Sequence, residues 1–488
     1  MKAIKFNLID YLLILSLFIV AFWLRTYRLH EPLADWHSWR QADTASVARE
    51  YVKHGIDLLH PRYHDLSSIP SGKDNFEGYR FVEFPFLNAL HAWLYLHFPQ
   101  VGFVVWGRLI SIFLSSATVV VLYLLAGFWG DRLIAFLTAA IFAFLPYNLF
   151  YGRVILPEPG LVFFSYLALW LFLVWDKTGS YLWLLFSTFS FILALLLKPT
   201  ALALALPMLF YLFGSQRSLR QKFVFFFHLF IAILPLVVWR LWMRQFPQGI
   251  PASAWLFNGN HIRFKGAYFH WLFGERIGKL ILGYWNLIPV GLGLFLLSFK
   301  SRFQRFYSGI ILATLSFLII IATGNVQHDY YQIQIIPALA ILYGLGGAYL
   351  LRLHQGWGRL YSFLLFTFTT LLGLALGWYQ VRGYFNINNP AIVHAGQKLD
   401  QLAPPDALVI APYMGDTAFL FQTNRRGWPI GGDIDFKIKH GATYYVTTSK
   451  NKEYHQLKQK YPVIFENNEF SIIQLKQTTV NGKQKTNQ

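Results

Sequence analysis

Two neighbouring stretches decide the fold: Leu8–Leu24, LIDYLLILSLFIVAFWL, and Asp35–Glu50, DWHSWRQADTASVARE. The first is an apolar run long enough to cross about 30 Å of hydrocarbon as a helix. It exceeds a typical signal-peptide core and lacks a small-residue cleavage site, so it is expected to remain as a first membrane span. The second gathers Asp35, Asp43, Arg40, Arg49, His37, Trp36 and Trp39 just beyond that span. A connector needs no such set of ionisable groups; a reactive surface at the membrane boundary does.

The rest of the chain repeats the first pattern. Apolar residues make up 55% and charged residues 13%, against about 25% charged in soluble domains. Aromatic residues reach 19%, as suits interfacial belts. Membrane-length runs recur at 8–24, 101–127, 133–150, 159–175, 181–197, 200–213, 223–243, 278–298, 306–322, 331–351 and 360–379. The expected fold is a polytopic α-helical membrane protein of about eleven spans. The net charge of +19 does not indicate nucleic acid, because the basic residues punctuate apolar runs instead of forming one patch. The absence of cysteine excludes disulfides and thiolate metal sites.

Loop charge sets the orientation. With Lys2 and Lys5 in the cytoplasm, the short inner loops carry Arg132, Lys177, Arg217, Arg220, Lys222, Lys300, Arg302, Arg305, Arg352 and Arg359. The short outer loops carry Arg153 and Lys198. This asymmetry follows the positive-inside rule. It also requires 181–197 and 200–213, separated by KPT, to be two spans. Outside then lie 28–100, 244–276 and everything after 380. The aromatic stretch 255–273 reads as a helix lying on the membrane surface. The tail 385–476 reads as a small α/β domain: helix, turn at Pro404–Pro405, strands in ALVIAPY, GATYYVTTS and FSIIQLK, and a polar helix in NKEYHQLKQKY. Residues 477–488 read as a disordered tail.

With this topology the ionisable residues collect on the outer face. They are Asp35, Arg40, Asp43 and Glu83, then Arg153 and Glu158 in YGRVILPEP, Lys198, and His328 and Asp329 with Tyr330 and Tyr331 in GNVQHDYYQ. Arg108 lies inside the second span, where charge is expensive and normally faces a bundle interior or wet cavity. A few carboxylates among several cations suit transfer of a sugar from a lipid phosphate. A base is needed for a hydroxyl nucleophile and cations for an anionic leaving group.

WRQADTASVAREY followed by FVEFPFLNALHAWLY resembles the first outer loop of the GT-C glycosyltransferases. The nearest group is glycosyltransferase family 39, the protein mannosyltransferase-like enzymes, with the lipid A aminoarabinose transferases as relatives. YGRVILPEP, LLKPTALALALP and HDYYQIQIIPALAIL follow in the same order beside the corresponding spans. The resemblance covers residues 1–380 as a transmembrane catalytic domain. It implies that Asp43 is the catalytic carboxylate and that Glu158 matches the acidic residue of the second loop. The acidic pair common in such enzymes is here Asp43–Thr44, and the EKPP motif of the aminoarabinose transferases appears as EFPF, Glu83–Phe86, without its lysine.

Each residue also has a plain structural reading. Asp43 makes a good helix N-cap. Arg40 can pair with a nearby carboxylate, and Glu158 suits the positive end of the helix that follows. Arg108 and Arg153 can anchor at headgroups, as can Lys198. Against these stands a binding set of Arg40, Glu83, Arg108, Arg153, Lys198, His328, Tyr330 and Tyr331 around a donor phosphate. No motif demands a metal, and a divalent ion, if one takes part, would be held by Asp43. The expectation is an inverting transfer from a polyprenyl-phosphate-linked sugar to a hydroxyl on lipid, glycan or protein, at the outer face of a bacterial inner membrane among its lipids. The alternative is a lipid or glycolipid flippase.

Overall fold

A computed structural model describes residues 7–129, 131–213, 218–353 and 355–475. Lys2, Lys5, Arg217 and the tail 477–488 lie outside the described residues. The chain divides into two compact units. One comprises Met1–His30, Gln100–Gln245 and Ala252–Phe385; the other comprises Glu31–Pro99, Phe246–Pro251 and Asn386–Gln488.

The first unit is helical. Among the described residues, seven helices are long and apolar enough to cross a membrane. They include Leu8–Arg25, Phe103–Trp129, Glu158–Thr178, Leu219–Met243, Arg302–Ile320 and Asp329–Arg352, with the last beginning at Trp357. Arg132–Phe144, Tyr181–Leu197 and Pro199–Leu212 are shorter apolar helices. The helix Leu8–Arg25 leaves Leu8, Ile9, Leu12, Leu15 and Ile19 exposed, an outer face fit for lipid tails. The protein is a multi-pass membrane protein.

The break at KPT is present. Tyr181–Leu197 ends at Lys198, whose backbone is extended (φ −152°, ψ 132°). A residue preceding proline is biased to that region. The run 278–298 is not one helix: a wide-turn helix His270–Ile281 ends, and Leu287–Phe295 follows. The stretch 255–273 is not one surface helix either. Asn260 and His261 take positive φ there and divide it into short turns.

Within the helical unit the charged residues sort to two ends. At the start of Leu8–Arg25, Asp10 accepts hydrogen bonds from Tyr123 Oη and Arg132 Nη2, both at 2.9 Å. Arg352 grips Asp131 at 2.6 and 2.9 Å. Arg25, Arg108 and Arg153 lie at the other end, since all three meet carbonyls or side chains around the end of the same helix.

The second unit is built on a five-stranded sheet of order β2-β1-β3-β5-β4. Its strands are β1 Leu408–Ile410, β2 Gly427–Trp428, β3 Ala442–Thr447, β4 Val463–Glu466 and β5 Ser471–Gln474. β1 runs parallel to β2 and β3, while β3–β5 and β5–β4 are antiparallel. Alternate side chains enter opposite layers, as strand geometry requires. Val409, Val446 and Ile472 pack with Ile392, Leu399, Phe419 and Ala34. Ile410, Tyr445 and Ile473 pack with Tyr454, Leu457 and Leu66. Ala34 and Leu66 come from the first outer segment, so that segment supplies core to both faces. It also extends the sheet: Gly427 N donates to His64 O at 2.9 Å, and Leu66 N donates to Gly427 O at 2.8 Å. The region 28–100 thus clusters largely with the C-terminal sheet and not with the spans.

Candidate active site

Asp43 lies in the helix Ser38–His54, which begins before it at His37. The N-cap reading fails for that reason: Asp43 is in the second turn, where backbone amides bond within the helix. The residue is 6% exposed, and its carboxylate is held on both oxygens. Arg80 Nη2 lies 2.9 Å from Oδ2. Thr417 Oγ1 lies 2.7 Å from Oδ1 and 3.1 Å from Trp39 O. Arg80 also lies over the Tyr63 ring at 4.8 Å. An ionised carboxylate offers about four lone-pair sites, so acceptor capacity remains for an incoming hydroxyl.

Two further carboxylates bear on this group. Burial pushes the Asp65 carboxyl up to about 7, and the Asp43 charge adds while Arg80 opposes. Burial likewise pushes Asp416 up to about 6, again with help from Asp43. Asp416 Oδ1 accepts from Ala418 N at 2.7 Å and caps the helix Thr417–Gln422. That cap places Thr417 in the first turn, facing Asp43.

Arg40 and Glu83, both expected at the substrate, are bonded to each other. Arg40 Nη2 donates to Glu83 Oε2 at 3.0 Å, and Nη1 donates to Thr44 Oγ1 at 2.9 Å. Asn88 Nδ2 donates to Thr44 O at 2.6 Å. This buried network ties the helix Phe86–His97 to the helix bearing Asp43.

The helical unit brings together the other expected residues in two groups. Glu158 begins its helix, fully buried, and Lys198 Nζ bonds its Oε1. Its Oε2 is buried with no hydrogen-bond partner among the described residues. Lys198 also lies over the Tyr331 ring at 4.9 Å and the Tyr330 ring at 5.8 Å. His328 stacks on Tyr330, with centroids 5.4 Å apart. Lys198, Glu158, His328, Tyr330 and Tyr331 therefore form one cluster. Arg108 and Arg153 have different observed partners. Arg153 Nη1 donates to Arg28 O at 2.6 Å and Tyr27 O at 3.2 Å; Arg108 Nη1 donates to Leu29 O at 2.8 Å. They secure carbonyls of the turns that follow the first span, which ends at Arg25.

Asp329, which the sequence placed on the outer face without a role, accepts from Tyr151 Oη at 2.6 Å and Tyr384 Oη at 2.7 Å, with Arg276 Nη1 at 3.7 Å. Other residues escaped sequence reasoning. Arg25 donates to Ser115 Oγ at 3.0 Å and Ala21 O at 2.9 Å. Arg80, Thr417, Asp65 and Asp416 complete the surroundings of Asp43. A lone arginine closing the first span was a visible signal for Arg25. Nothing in the sequence links Arg80 or Thr417 to Asp43. As for a metal, among the described residues no group of three or more His, Asp or Glu is arranged to hold one.

The family model described as dolichyl-phosphate-mannose-protein mannosyltransferase matches residues 88–242, about a third of the chain. No curated protein matches the sequence. Among solved structures, ArnT from Cupriavidus metallidurans bound to undecaprenyl phosphate superposes with a TM-score of 0.67 at 14% identity. The match covers 94% of this chain and 97% of that one. Its apo form gives 0.66 at 13%, with the same coverage. The archaeal oligosaccharyltransferase AglB from Archaeoglobus fulgidus, in complex with an inhibitory peptide and a dolichol-phosphate, gives 0.58 at 11%. That match covers 91% of this chain and 70% of AglB. The chain thus shares the fold of these membrane enzymes over nearly its whole length, and its residues 88–242 resemble the dolichyl-phosphate-mannose-protein mannosyltransferase family.

Proposed function

We propose that the chain transfers one sugar from a polyprenyl-phosphate carrier to a hydroxyl acceptor, with inversion, at the outer face of a bacterial inner membrane. The observation that carries this reading is the Asp43 carboxylate, buried and held on both oxygens yet retaining lone pairs. In the reaction Asp43 takes the proton of the acceptor hydroxyl. The hydroxyl oxygen attacks the anomeric carbon, and the bond from that carbon to the phosphate oxygen breaks. The electron pair leaves with the polyprenyl phosphate, whose developing charge is stabilised by cations. Within the helical unit, Lys198 and Arg276 are our candidate cations for a lipid phosphate. The free Oε2 of Glu158 suits a sugar hydroxyl. The undecaprenyl phosphate of the ArnT structure and the dolichol-phosphate of the AglB structure support a polyprenyl-phosphate donor.

The test uses the purified full chain with radiolabelled sugars on undecaprenyl phosphate and a bacterial envelope extract as acceptor. Label should move to the acceptor and release undecaprenyl phosphate, and Asp43→Asn should abolish both. A wild-type protein that moves lipid between leaflets of a vesicle without transferring label would instead be a flippase.

A further inference from the structure

We propose that Thr417, contributed by the C-terminal sheet unit, is a positioning residue for the Asp43 carboxylate, which makes the C-terminal α/β segment part of the catalytic apparatus. This rests on the transferase reading above. Four observations carry it. Thr417 Oγ1 stands 2.7 Å from Asp43 Oδ1, across hundreds of residues of sequence. Both residues are buried. The helix Thr417–Gln422 is fixed against the sheet by Ala418, Phe419 and Leu420, each 0% exposed. It is also tied to the Asp43 segment by Gln422 Nε2, which donates to Leu33 O at 2.8 Å, and by Arg49, which donates to Phe421 O at 2.7 Å.

The physical consequence concerns orientation. Arg80 alone holds one oxygen and leaves the carboxylate free to rotate about its Cβ–Cγ bond. A second bond on Oδ1 fixes the plane. The lone pair offered to the acceptor hydroxyl then keeps one direction, which is what general base catalysis requires of a positioned group. Threonine is well suited, since its branched Cβ restricts the side-chain rotamer.

The experiment compares Thr417→Val, Thr417→Ser and wild type as full chains, with binding of undecaprenyl phosphate as a count of folded protein. Thr417→Val should bind the probe with wild-type stoichiometry and keep the donor KM within about threefold, while kcat falls roughly 10- to 100-fold. Thr417→Ser should recover most of kcat. The proposal is overturned if Thr417→Val matches wild type in kcat while Asp43→Asn is inactive. It is equally overturned if Thr417→Val and Thr417→Ser lose probe binding and activity together, which marks a purely structural contact. A wild-type chain that transfers no sugar defeats the transferase reading instead.

Discussion

Removing the guanidinium of Arg80 would leave the Asp43 carboxylate buried without its cation. A buried pair broken on one side typically costs about 3–5 kcal/mol, because the surviving charge stays uncompensated. Arg80→Gln should therefore lower kcat by roughly 100-fold or more, with Arg80→Lys intermediate because lysine lacks the planar fork. Transfer rates per folded molecule check this; equal rates for Arg80→Gln and wild type would remove Arg80 from the site. Lys198 and Glu158 allow a second test. Lys198→Met alone should destabilise the protein more than Lys198→Met with Glu158→Gln, and a double-mutant cycle reads the coupling, expected at about 1–3 kcal/mol. At this scale the sequence was partly legible. Glu158 and Lys198 fall in recognisable loop motifs, and they do meet. Arg40 and Glu83 looked like substrate ligands, yet they satisfy each other, since a motif shows residue type and not partner. Arg80 sits in an unpatterned stretch, GYRFVE, where no periodicity marks it.

Helices were legible because hydrophobic runs of span length are long signals, while their interruptions are short ones. KPT announced its break through proline. The break near 282–286 turns at Gly283 and Tyr284, both at positive φ, and a Cβ on Gly283 would stand 1.9 Å from Gly373 O. A Cβ on Gly346 would stand 1.9 Å from Pro289 O, and one on Gly293 would stand 1.9 Å from Leu342 O. The short helix Leu287–Phe295 thus lies backbone to backbone against Ile336–Arg352, an approach that only small residues permit. Gly346→Ala forces the two apart, and overpacking of this kind costs about 1–3 kcal/mol. The thermal midpoint of the purified protein should fall accordingly. An unchanged midpoint would mean that the two helices separate without penalty. Gly152 is held the same way, since its Cβ would meet Arg25 Nε at 2.5 Å. The glycine in YGRV therefore belongs to the seat of a buried arginine that the sequence did not reveal.

At the scale of the whole chain, the first outer segment and the C-terminal tail share one core although more than 280 residues separate Pro99 from Asn386. Sequence pattern supplies local periods and cannot report such pairing, so the tail read as a separate α/β domain. Asp65 is where the pairing leaves a measurable trace. It lies beside Gly427 at the sheet edge, 2% exposed, with Oδ1 accepting from Ser67 N at 2.7 Å. Its folded pKa of about 7 stands above the unfolded value of about 3.9. Between those values the folded state keeps a proton that the unfolded state has released. The stability of this unit should therefore fall as pH rises from about 4 to about 7, then level off. A carboxamide in place of this carboxyl cannot ionise and can keep the bond from Ser67. Asp65→Asn should therefore match wild type near pH 4 and become progressively more stable by comparison up to pH 7–8. The full effect is a few kcal/mol at most, at about 1.36 kcal/mol per pKa unit. Hydrogen exchange of the β1 and β3 amides, compared between the two proteins at each pH, measures it directly. A gain for Asp65→Asn that is the same at pH 5 and pH 8 would mean that Asp65 does not titrate in this window, and that burial at the sheet edge does not hold its proton.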